Sequence, residues 1–244
     1  MDWPRLLFSQ GFGTRRECEA LVAAGRVLHA GRAVTFDDAV VPDEGLAFEV
    51  DGQGWPYHER ALILLHKPAG YECSQKPRHH PGVLTLLPMP LRRRGVQPVG
   101  RLDEDTTGLL LLTDDGALIH RLSSPKHHVP KVYDVTCKHP LSPAQLQRLR
   151  DGVVLDDDPV PVRAAAAQLA TPTQMQLVLT QGKYHQVKRM VAAVGNRVAG
   201  LHRAGFGALT LEGLERAGQW RWIGSAERSA AFVESATLGR GDPA

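Results

Sequence analysis

The sequence predicts an α+β protein of two domains, and three observations carry that expectation. Apolar runs of strand length recur as ALILLHKP, GLLLLT, KVYDVTCKH and MQLVLTQG. Helical signals precede, separate and follow these runs. A Gly- and Pro-bearing stretch, DGQGWPYHER, separates a short first region from a longer second one, as linkers do. At 244 residues the chain is long for one compact domain and comfortable for two.

Taken in order, PRLLFSQ reads as a short helix ended by GFG. Thr14 then caps RRECEALVAAG, with Glu17 three residues on completing a capping box. Gly25 stops that helix, and RVLHAGRAV follows as a hairpin turning at Ala30-Gly31. Residues 1–58 make the first domain. In the second, residues 60–228, the four strands above are joined by SPAQLQRLRDG, a helix capped by Ser142. YHQVKRMVAAVG is read as a helix of about a dozen residues ended by Gly195. Positions 229–244, small and polar, are expected to form a flexible tail.

Composition narrows the function classes. Hydrophobic residues make up 43% and charged residues 23%, ordinary for a soluble globular protein. The net charge of +3 and pI near 8.9 permit an anionic partner without demanding one. No signal peptide or bilayer-length apolar run is visible. Three widely spaced cysteines (Cys18, Cys73, Cys137) give neither a disulfide framework nor a CxxC pattern, so the expected compartment is the cytoplasm. The pairs His79-His80 and His127-His128 lack an HxxxH partner, and no metal site is expected.

One stretch asks for an explanation. GRLDEDTTGLLLLTDDG sets Asp103, Glu104, Asp105, Asp114 and Asp115 around four consecutive leucines. Asp114-Asp115-Gly116 has turn chemistry, and Asp105 with Thr106 and Thr107 suits local bracing of the loop. A spacing of two between Asp103 and Asp105 argues against a glycosidase pair, which needs two separately placed carboxylates.

The order KPAG, GRLDEDTTG, SSPKHHVPKVYDV, GKYHQVKRM resembles the RsuA-like family of ribosomal RNA pseudouridine synthases, in its small-subunit (16S) branch. The likeness covers nearly the whole chain up to about Ile223. It implies a mostly antiparallel mixed sheet with a central cleft, and isomerisation of uridine to pseudouridine with no cofactor. Asp103 matches the family's catalytic aspartate, acting as nucleophile or base, and Tyr133 the tyrosine that stacks on the extruded uracil. Lys188 matches the basic residue that pairs with the aspartate, and Arg101, Leu102, Arg189 and Leu201 would meet substrate. Whether the aspartate attacks C1′, adds to C6 or removes a ribose proton stays open.

The first domain resembles the S4 RNA-binding module, with Arg15, Arg16, Arg26 and Arg32 as its phosphate contacts. Its five arginines face nine carboxylates over residues 1–58, a net-acidic departure from the expected basic surface. Arg92, Arg93 and Arg94, with KPRHHPG, are further candidates for RNA contact. The implied partner is ribosomal RNA or a small-subunit assembly intermediate, met by a monomer. The alternatives are the same chemistry on large-subunit (23S) RNA, or a non-catalytic RNA-binding assembly factor.

Overall fold

A computed structural model describes residues 1–156 and 158–232. It divides into two compact units. The first comprises Met1–Ala61 together with Leu84–Gln97 and Leu112–Asp115; the second holds the remainder.

In the first unit, helix α1 (Trp3–Ser9) starts where the Asp2 side chain accepts the Arg5 backbone N–H at 2.8 Å. Helix α2 (Arg15–Ala23) has the full Thr14–Glu17 capping box. Strands β1 (Val27–His29) and β2 (Arg32–Ala33) form a hairpin. Both turn residues, Ala30 (φ 50°) and Gly31 (φ 75°), adopt left-handed backbone.

The expected linker begins as a hairpin turn and a strand. Asp51 and Gly52 turn β3 (Ala47–Val50) into β4 (Gln53–Pro56), giving a sheet of order β2-β1-β3-β4. Gly and Pro here mark a hairpin turn and a strand end rather than a domain joint. Trp3, Leu6, Leu7, Cys18, Val27 and Phe48 fill the core.

Helix α3 (Met89–Arg93) also belongs to this unit. Arg94, proposed above for RNA contact, is buried there, its side chain 3% exposed. It donates to Asp114 Oδ2, Gln10 Oε1 and the carbonyls of His58 and Glu59. A guanidinium with four satisfied acceptors is a structural clamp, not a phosphate contact.

The second unit is built on a nine-stranded sheet. Its strands are β5 (Leu62–Lys67), β6 (Gln97–Pro98), β7 (Thr107–Thr113), β8 (Lys131–Cys137), and beyond the two-stranded hairpin of β9 (Val153–Leu155) and β10 (Asp158–Val162), β11 (Ala166–Thr171), β12 (Gln174–Leu179), β13 (Val198–Phe206), β14 (Leu209–Thr210) and β15 (Trp220–Trp222). The spine runs β11-β12-β8-β13-β7-β5-β15. β13 runs parallel to β7 and antiparallel to β8, so the sheet is mixed. Helices α4 (Gly116–Ser123), α5 (Pro143–Asp151), α6 (Gln186–Ala193) and α7 (Ser225–Ala230) complete it.

Two local readings change. Helix α6 is eight residues long because His185 takes a left-handed conformation (φ 48°) just before it, leaving Tyr184 and His185 outside. Of the expected tail, Ala231 is fully buried against the core that holds Leu109, Phe206 and Leu209, whereas 233–244 lie outside the described residues.

Candidate active site

The acidic loop between β6 and β7 is held from below by one cation. Lys67, at the end of β5, is fully buried. Its Nζ donates to the carbonyls of Pro68 (3.0 Å), Asp103 (3.0 Å), Glu104 (3.1 Å) and Thr106 (2.8 Å). Burial pushes its pKa down, opposed by the nearby acidic side chains. Gly70 N–H also donates to the Glu104 carbonyl. The loop is thus pinned by its backbone, and its carboxylates point elsewhere.

Asp103 is 29% exposed and makes two contacts from the start of α6. Its Oδ2 lies 3.1 Å from Lys188 Nζ, and its Oδ1 lies 3.2 Å from His185 Nε2. Asp105 does more than brace the loop: both its oxygens accept from Lys188, at 2.7 and 2.9 Å. Burial alone would lower the Lys188 pKa, but hydrogen bonds and charge from Asp105 and Asp103 carry it above the usual lysine value. Asp105 is likewise pushed up by burial yet held low by Lys188.

These groups line one cavity of about 920 Å³. Tyr133 on β8 and Leu102 contribute buried faces, and Leu201 on β13 a half-buried one. Arg101 also lines it and is exposed. The cavity is also lined by Lys76, Arg78, His79 and His80. Glu72 accepts the backbone N–H groups of Arg78, His79 and His80, which fixes that loop's backbone. Arg189 stands apart from the cavity lining and donates to the Tyr184 carbonyl at 3.1 Å. Among the described residues no three His, Cys, Asp or Glu side chains form a metal-binding group, and no helix is long and apolar enough to cross a membrane.

In the first unit Arg15 and Arg16 are exposed, Arg15 over the Phe8 ring at 5.6 Å. Arg26 is engaged by Asp51 at 2.6 and 2.7 Å, and Arg32 by Asp38 at 2.8 Å. The Arg32 and Thr35 hydrogen bonds hold the Asp38 pKa down at about 2.

Three side chains that the sequence reading gave no role belong to this constellation. Lys67 fixes the loop, His185 shares Asp103 with Lys188, and Arg203 lines the cavity almost wholly buried. A lysine directly after the apolar run LILLH was a readable signal for Lys67, since such a position is buried by alternation and needs partners.

The chain is similar to known proteins over most of its length. A family model described as RNA pseudouridylate synthase matches residues 61–193. "Ribosomal small subunit pseudouridine synthase A" of Yersinia pestis is 42% identical over 224 residues, 87% of this chain and 91% of its own. The protein of the same name in Escherichia coli (strain K12) is 39% identical over 206 residues, covering 81% and 88%. A solved structure titled "Crystal structure of pseudouridylate synthase" superposes with a TM-score of 0.67 at 30% identity, covering 95% of this chain and 99% of that one.

Proposed function

The chain belongs to the RNA pseudouridylate synthase family, in its RsuA-like branch, and from that premise we propose that it isomerises one uridine of small-subunit ribosomal RNA to pseudouridine, with Asp103 as the reacting carboxylate. The observation that carries the reading is the Asp103–Lys188 pair, 3.1 Å apart, opening on the same cavity as Tyr133. The small-subunit substrate is supported by the names of relatives about 40% identical over most of the chain.

The reaction breaks the C1′–N1 bond of uridine, turns the base and joins C1′ to C5. A proton leaves C5 and one is gained at N1, so composition and oxidation state are unchanged and no cofactor is called for. Asp103 reacts with the sugar or the base. Lys188 and His185 hold its two oxygens in place before substrate arrives, so little reorganisation is needed at the moment of reaction. Tyr133 stacks on the extruded uracil, a contact worth about 1–3 kcal/mol, while Leu102 and Leu201 wall the pocket. Arg101 and Arg189 serve the RNA side of the site.

Residues 1–58 act as an S4-like RNA-binding domain and residues 60–228 as the catalytic domain. Arg15 and Arg16 are available to phosphate, whereas Arg26 and Arg32 must first exchange Asp51 and Asp38. The working partner is a small-subunit assembly intermediate in the cytoplasm, met by a monomer; three unbridged cysteines are in keeping with a reducing compartment.

The test is a pseudouridine-specific primer-extension map of small- and large-subunit ribosomal RNA. Purified protein is run beside Asp103→Asn, with nothing else added. One new stop in small-subunit RNA, lost in the variant, is expected. A stop only in large-subunit RNA would move the substrate. RNA binding with no stop in either would favour an assembly factor.

A further inference from the structure

Two cations on the cavity face of the sheet have no counter-ion among the described residues. Arg203, on β13, is 2% exposed and lies opposite Tyr133 of β8 in the strand register. Its Nε donates to the Leu109 carbonyl at 2.7 Å. Its Nη2 is buried with no hydrogen-bond partner among the described residues. Lys131, two residues before Tyr133 and so on the same face of β8, donates to the Val129 carbonyl at 3.0 Å. Both cations lie against Phe206, Arg203 at 5.6 Å and Lys131 at 5.2 Å from the ring centroid. Burial and the Arg203 charge push the Lys131 pKa down to about 8, and no carboxylate acts in the other direction.

A buried charge without an anion is unfavourable unless a ligand supplies the missing acceptor. Arg203 and Lys131 line the cavity together with Asp103, Tyr133 and Lys188, so the acceptor is expected from whatever enters there. On the reading above, on which this inference rests, that is an extruded nucleotide. Its phosphates stay with the RNA strand in solvent. The part able to reach a guanidinium that is 2% exposed beside the stacking tyrosine is the base.

We propose that Arg203 donates from Nη2 to a carbonyl oxygen of the target uracil, and that Arg203 and Lys131 together stabilise the negative charge this base carries during isomerisation. Uracil offers two carbonyl acceptors, O2 and O4. If the C1′–N1 bond breaks, its electron pair passes to N1 and spreads onto these oxygens. If the carboxylate adds at C6, the displaced pair of the C5–C6 bond spreads onto O4. Every route open to Asp103 therefore loads a carbonyl oxygen, and a preorganised donor in a water-poor site acts where that charge develops. Where the contact is made to O4 it also selects uracil, because cytosine carries an amino donor at position 4 that a donor-only guanidinium cannot accept.

The test pairs an atomic change in the RNA with a change in the protein. Single-turnover rates are measured on the target RNA carrying uridine, 2-thiouridine or 4-thiouridine at the modified position. The enzymes are wild type, Arg203→Met and Arg203→Lys, each with its melting temperature and RNA dissociation constant. Sulfur is the weaker acceptor, so one of the two thio substitutions should slow the wild type about tenfold or more. Arg203→Met should react about 100-fold slower on uridine with little change in RNA affinity, and the same sulfur should then cost it less than about twofold. Arg203→Lys, which keeps a cation, should recover part of the rate. If Arg203→Met does not fold, the sulfur penalty in Arg203→Lys decides: a reduced penalty supports the contact. Independent, multiplicative penalties of sulfur and substitution would overturn it. A wild type that makes no pseudouridine in any ribosomal RNA removes the underlying reading instead.

Discussion

Lys188 divides one ammonium between Asp103, at 3.1 Å, and Asp105, at 2.7 and 2.9 Å. Asp105 is kept ionised against its burial by that cation, so removing the cation leaves two neighbouring carboxylates without the ammonium they share. In Lys188→Met the Asp105 carboxyl should therefore protonate at higher pH, because burial and the neighbouring carboxylate both favour the neutral acid. The acid limb of the kcat/KM profile should move upward and kcat should fall by about 100-fold; an unmoved limb would disconnect Lys188 from the carboxylate chemistry. Lys131 gives a stability prediction of opposite character. Its folded pKa is depressed to about 8 by burial, from an ordinary 10.5. Between those values the unfolded chain binds more protons, so stability rises with pH across that window. Lys131→Met should melt higher than wild type at pH 7, and the advantage should shrink by on the order of 1–3 kcal/mol towards pH 10.5. Thermal melts at matched pH would show it, and a constant difference would mean that Lys131 is not held charged against its burial.

The pairing of β13 with β7 is the element on which the site geometry depends, since β7 begins directly after the acidic loop and β13 carries Leu201 and Arg203. Gly108 permits it. At φ 106°, an added Cβ would stand 2.3 Å from the Arg203 carbonyl oxygen, a backbone atom unable to swing aside. Gly108→Ala should destabilise by at least about 3 kcal/mol in urea unfolding. Gly95→Ala, at φ 75° with nothing within 4 Å, should cost only about 1 kcal/mol; equal losses would show that close packing at Gly108 is not the constraint. β13 was also the longest strand hidden from the sequence. VAGLHRAGF shows no clean alternation, because two glycines and two charge-capable residues interrupt it. The glycines lie where β8 comes close: a Cβ at Gly205 would meet Val132 at 3.3 Å, and one at Gly200 would meet Thr136 at 3.5 Å. Strands such as GLLLLT were legible because their burial is written in their own residues. β13 was not, because its burial is written in its neighbour's.

Across the whole molecule the same distinction separates which residues of the candidate site the sequence disclosed from those it withheld. Asp103, Tyr133 and Lys188 each sit inside a contiguous motif and could be named from it. Lys67, His185 and Arg203 act through partners such as Asp103 and Leu109 that lie 36, 82 and 94 residues away, which no local pattern reveals. Charge was misleading for a related reason: counting arginines does not say which are spent. Arg94 is consumed by four acceptors inside the fold, and Arg26 and Arg32 are engaged by aspartates. Residues 1–58 are net −4, so the remainder carries +7 of a chain whose total is +3. RNA attraction should therefore come chiefly from exposed cations lining the cavity, Lys76, Arg78 and Arg101. Each phosphate contact releases counter-ions and contributes about 0.7–0.9 to the slope of log K against log salt. Replacing any of the three by Ala should lower the slope by up to that amount, as should Arg16→Ala if the first domain holds RNA. Arg94→Met should leave the slope unchanged while lowering the melting temperature, because it loses a clamp and no phosphate. A slope that fell with Arg94→Met yet ignored Lys76, Arg78 and Arg101 would place the RNA track on a face other than the one containing Asp103.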